Sequence, residues 1–106
     1  AEQQARRFVF DVAILSADAL TAKHGVLYQI APEAQLAAVV SGCAEYTVLA
    51  LAHTKFDETA PHRGPDLGSL NLVISDKAPG KKLTAALTAK NVGIEIAKDK
   101  SGDADK

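Results

Sequence analysis

Apolar and polar residues alternate along RFVFDVAIL, residues 7–15, with Phe8, Phe10, Val12 and Ile14 on one side and Arg7, Val9, Asp11 and Ala13 on the other. That two-residue period predicts a half-buried leading strand. Ser16 is placed to cap a short helix running to Lys23 or His24, with Gly25 as its left-handed terminator. VLYQI, residues 26–30, predicts a second strand. Pro32 then takes the first-turn position of a helix in which Leu36, Val39 and Val40 recur at helical spacing, and Gly42 ends it. EYTVLALA, residues 45–52, predicts a third strand that is apolar on both faces. LNLVIS, residues 70–75, predicts a fourth. The turn at 76–80 opens a helix whose Leu83, Ala86 and Leu87 face inward, Asn91 terminates it, and VGIEIA closes the pattern as a final strand.

From Val26 to Ala97 the order is strand, helix, strand, strand, helix, strand. This is the order of a split βαβ, or ferredoxin-like, α+β core with one additional strand in front. The expected organisation is a single α+β domain over residues 1–97 and a disordered, charged tail over 98–106, KDKSGDADK. The arrangement resembles that of the small trimeric PII-type signalling proteins, which also carry a long loop between the second and third core strands. The leading strand and the five-strand, two-helix count are equally compatible with a chorismate-mutase-like or YjgF-like α+β trimer. In the split βαβ order the two-faced third strand falls at a sheet edge, where a wet apolar strand is a liability. A homo-oligomer that covers it is therefore expected.

Composition narrows the partners more than the chemistry. Aromatic residues make up 5% of the chain against 47% apolar overall, so few rings are available to stack on bases. The net charge of −1 lacks the basic excess that nucleic-acid or anionic-membrane binding draws on, and neither partner is expected. A lone cysteine, Cys43, excludes an internal disulfide and fits the reducing cytoplasm. No motif calls for a cofactor.

The candidate chemistry gathers in HTKFDETAPHRGPDLG, residues 53–68, a long connection between two apolar strands. His53, Asp57, Glu58 and His62 offer imidazoles and carboxylates, the donors that suit a borderline divalent cation, and Arg63 adds a fixed positive charge. Alternatively His53 or His62 acts as a general base oriented by Asp57 or Glu58. The second candidate is SDKAPGKKLT, residues 75–84. A helix amino terminus at Gly80 presents free N–H groups to an anion, and Lys81 and Lys82 add charge that the helix dipole itself disfavours. The residues point to a non-enzymatic homo-oligomeric binding or regulatory module that engages an anionic metabolite or a protein partner through the 53–68 loop and the helix start near Gly80. A small metal-dependent or His-based enzyme and a structural subunit of a larger assembly are the other readings.

Overall fold

The run EYTVLALA is apolar on both faces because its strand lies in the middle of a sheet. The computed structural model describes residues 10–97, and its main sheet is built from β1 (Phe10–Leu15), β4 (Ala44–Ala50), β6 (Leu72–Ser75) and β7 (Gly93–Ile96) in the order β1-β4-β6-β7, every pair parallel. A second, antiparallel sheet holds β2 (Ala19–Thr21), β3 (Gly25–Tyr28) and β5 (His62–Arg63) in the order β2-β3-β5. Helix α1 (Ala31–Cys43) precedes β4, and α2 (Lys81–Ala89) links β6 to β7.

The molecule is thus α+β, but the ferredoxin-like expectation is corrected. A split βαβ sheet is antiparallel, whereas here the VLYQI strand joins the small sheet and β1, β4, β6 and β7 run in one direction. The five-strand count behind the chorismate-mutase-like or YjgF-like alternative is not met either, since the described residues form seven strands. Connection length carries the reason: parallel neighbours need a crossover of about a dozen residues or more, and residues 51–71 supply one between β4 and β6.

Three local differences follow from burial. Residues 16–24 form no helix; β2 turns through residues 22–24 into β3, and the His24 N–H donates to Thr21 Oγ1 at 2.8 Å. Gly25 does adopt the left-handed backbone, at φ +79°, but it ends a hairpin turn rather than a helix. In α1 the buried face is Ala34, Ala37 and Ser41, while Leu36 is 47% exposed. Small side chains let the helix approach the strands closely, and that close approach outweighs the size of Leu36. The helix runs past Gly42 to Cys43 and passes directly into β4 at Ala44.

The core forms where Leu49 and Val73, paired in register on adjacent strands, meet Leu20 and Val26 of the hairpin, Ala34 and Ala37 of α1, and Leu83 and Leu87 of α2. Asn91 terminates α2 with φ 63°, and Val92 N–H returns to Leu87 O at 2.9 Å. The 53–68 connection is tied to the core at several points. Asp57 N–H donates to Leu20 O at 2.9 Å, Gly64 N–H donates to Val26 O at 2.8 Å, and Phe56 packs on the core. Because Thr47, Val48 and Leu49 are buried within one chain, the edge-strand reason for oligomerisation falls away. Residues 7–9 and the 98–106 tail lie outside the described residues.

Asn71 completes the central strand just before β6 begins. Its Oδ1 accepts the Thr47 N–H at 2.7 Å and its own N–H donates to Thr47 O at 2.8 Å. Replacing it by Ala leaves a part-buried amide without a partner and should cost about 1–3 kcal/mol, read as a lower urea midpoint at unchanged slope.

Candidate functional site

Parallel pairing delivers the carboxyl ends of β4 and β6 to one rim at the same height. Ala50 stands opposite Ile74, and the next amide, Leu51 N–H, donates to Ile74 O at 3.1 Å. The residues that follow each strand are thereby neighbours, although far apart in sequence. The His53 N–H donates to Asp76 Oδ1 at 2.6 Å, and the His53 ring Nδ1 meets Asp76 Oδ2 at 2.7 Å. Ser75 Oγ donates to Asp76 Oδ1 at 3.2 Å. A carboxylate only accepts, so the ring donates from Nδ1 and turns Nε2 outward as an acceptor when neutral. The pair is partly exposed, and it is the only ion pair among the described residues.

The Asp76 carboxyl is held down from 3.8 to about 2, first by the His53 backbone N–H and then by the His53 side chain. Four residues on, Gly80 caps α2 with extended backbone at ψ 173° and no side-chain cap. Thr84 fastens the turn, its N–H to Gly80 O at 2.9 Å and its Oγ1 to Pro79 O at 3.2 Å. Lys81 and Lys82 are exposed in the first helical turn. The start of the long connection and the helix start thus share one rim of the sheet.

The other expected site residues sit elsewhere. Asp57 occupies the left-handed region at φ 62° and spends its N–H on Leu20, the work of a turn residue. Glu58 is exposed. His62 pairs in register with Tyr28, and Arg63 with Leu27, both in the small sheet. Arg63 Nη2 donates to His24 Nδ1 at 3.1 Å. His53 and His62 therefore belong to different surroundings, and His53 takes Asp76 rather than Asp57 or Glu58 as its carboxylate. Among the described residues no three His, Cys, Asp or Glu side chains are grouped so as to hold a metal ion. The Ser75 hydroxyl donates to Asp76 rather than to the His53 ring. Sequence reading missed Asp76 as the partner of His53 and missed His24 as the partner of Arg63. The first signal was available: each residue follows a strand, and in a parallel sheet both strands end at one rim.

The sign of the pH dependence is fixed by the lowered carboxyl. A carboxyl that titrates lower when folded contributes stability that is complete above its unfolded value near 3.8 and is lost as the pH falls through about 2. The stability difference between the unaltered protein and Asp76→Ala should therefore hold steady from pH 7 to 5 and shrink between about pH 4 and 2, as followed by urea unfolding across that range.

No helix among the described residues is long and apolar enough to cross a membrane. Residues 1–77 match the model of the DeoR C-terminal sensor domain, a span that includes β1 to β6, His53 and Asp76 and stops short of Gly80 and α2. With most of its length matched, the chain belongs to the DeoR C-terminal sensor domain family, a family of ligand-binding regulatory domains.

Proposed function

We propose that this domain senses a phosphorylated small molecule, without transforming it, at the rim formed by His53, Asp76 and the start of α2. Sensor domains of this family bind small-molecule effectors of the sugar-phosphate class, which agrees with an anionic ligand. The observation that carries the placement is the His53–Asp76 clamp across the carboxyl ends of β4 and β6, because open α/β sheets bind ligands beyond the carboxyl ends of their strands. Each part has a role there. The uncapped N–H groups of α2 with Lys81 and Lys82 take the phosphate, offsetting two cations that the helix dipole disfavours. His53 Nε2, turned away from Asp76, accepts from a ligand hydroxyl. A ligand of this kind agrees with a cytoplasmic protein, since phosphorylated sugars are retained there.

Self-association belongs to the same reading, on grounds different from those in the sequence. Parallel sheets are almost always covered on both faces. Register puts Val12 beside Tyr46 and Ile14 beside Val48 on the face away from the core, and Val12 is 54% and Ile14 72% exposed. A second copy of the chain laid against that face would cover it. Light scattering should then report a dimer or larger at micromolar concentration, and Ile14→Lys should shift it towards monomer; a monomer throughout removes this part of the reading.

A panel of sugar phosphates beside their unphosphorylated parents, screened by thermal shift, tests the effector. Saturation at about a hundred times the dissociation constant should add roughly 2.7 kcal/mol. Lys81→Gln with Lys82→Gln should weaken the response in a salt-dependent manner and slightly stabilise the free protein. Equal shifts from sugars without phosphate, or an unchanged response in the double variant, would remove the rim from consideration.

A further inference from the structure

A cleft of about 330 Å³ opens at the other end of α2, against the turn of the β2–β3 hairpin. Its walls carry Lys23 and His24 from that turn, Arg63 from the end of β5, Asp66 and Ser69 around the short 3-10 turn before β6, and Lys90 at the end of α2. At 1.5 Å per residue the nine-residue α2 is about 14 Å long, so no small ligand held at Gly80 reaches Lys90. This is a separate place on the molecule.

Charge sets it apart. The chain as a whole is nearly neutral, at −1, yet three of its twelve Lys and Arg residues line this one cleft against a single carboxylate, Asp66. None of the three is in a direct ion pair with a carboxylate, since the only ion pair among the described residues is His53–Asp76. The cleft is built rather than a chance meeting of mobile side chains. The hairpin is seated by Val26 N–H on Pro65 O at 3.4 Å, and a Cβ added to Gly25 would meet Pro65 O at 3.4 Å and Leu67 N at 3.6 Å. Lys90 lies along Gly68, whose added Cβ would stand 3.8 Å from Lys90 Cδ. Arg63 is oriented as well: a guanidinium only donates, so its bond to His24 Nδ1 at 3.1 Å fixes the ring as acceptor at Nδ1 and leaves Nε2–H as a donor in the neutral ring.

We propose that this cleft is a second anion site, one that takes the phosphate group of a small phosphorylated molecule independently of the rim at His53. Two long, flexible ammonium groups and one planar guanidinium surround the phosphate from different sides, the combination of point charges and fixed fork that suits a tetrahedral dianion. Ser69 and Asp66 then face the remainder of the ligand, where a hydroxyl-bearing group can donate to the carboxylate. The volume lies at the small end of the range for ligand sites, which fits a compact metabolite rather than a dinucleotide.

Inorganic phosphate is the probe, titrated into isotope-labelled protein at constant ionic strength with chloride as the replacement anion. The backbone amide signals of Gly25, Gly68 and Ser69 should move and saturate. In the double variant Lys23→Gln, Lys90→Gln, the apparent dissociation constant read from those signals should rise by about tenfold, as expected for the loss of two solvent-exposed charge contacts, while signals elsewhere report an intact fold. Arg63→Gln should weaken the same signals while leaving those of Ser75 to Lys82 unchanged. Unaltered titration of the cleft signals in the double variant overturns the proposal, and so does an equal response to chloride alone. Movement confined to Ser75 to Lys82 also overturns it while leaving the rim reading intact, so the two sites fail separately.

Discussion

Burying β4 in the middle of a parallel sheet is the constraint on which the rest of the structure depends. A central strand must find partners for its N–H and C=O groups on both sides and apolar cover on at least one face. β1 and β6 provide the ladders, and Asn71 supplies a side-chain acceptor for Thr47 before β6 begins. Leu49, fully buried, collects the hairpin and both helices around itself. The chemistry inherits this arrangement directly. Because both neighbours run the same way, the chain leaves β4 and β6 at the same rim, and His53 meets Asp76 without either residue belonging to a recognisable motif.

The sequence made the elements readable where the backbone chemistry was local. Pro32 falls in the first turn of α1, Leu83 and Leu87 form the buried stripe of α2, and Asn91 takes the left-handed conformation that ends it. Strand direction was not local. The same order of strands and helices serves an antiparallel split βαβ sheet and a parallel one, and only the pairing partners decide. The near-continuous apolar run from Val48 to Ala52 did contain the answer, since such runs are the mark of strands in parallel sheets. Gly25 illustrates the complementary failure: its left-handed backbone was legible, but the residue type cannot say whether a helix or a hairpin ends there. The candidate site split for the same reason. Residues 53–68 look like one polar loop in the sequence, yet Leu20 and Val26 anchor its middle to the small sheet and send His53 and Arg63 to different places.

Net charge concealed the other half of the electrostatics. A chain at −1 shows no overall attraction for anions, and only the lysines beside Gly80 pointed to a local one. The fold separates what the average combines. Lys77, Lys81 and Lys82 collect at the start of α2 with Asp76, while Lys23, Arg63 and Lys90 collect near its end with Asp66, and Asp11, Glu33, Glu45 and Glu95 are left on other elements. Local excesses of this kind govern ligand capture because interactions between exposed charges fade over roughly 8–10 Å at ordinary salt, so the acidic residues on distant elements offset them only weakly.

The face of the main sheet that is exposed among the described residues would give a sensing domain a means of reporting. A ligand shifts an equilibrium only by the difference in its affinity for the two states. A rim that ties the end of β4 to the end of β6 through His53 and Asp76 feels the relative position of those two strands, and the opposite face of the same strands carries Tyr46 and Val48 beside the exposed Val12 and Ile14. Under the proposed reading, occupation of the rim and cover of that face would be linked through two adjacent strands rather than through a long chain of contacts. Because binding linkage is reciprocal, whatever favours the covered state of the face also tightens the rim by the same factor, if that state is the one the ligand prefers.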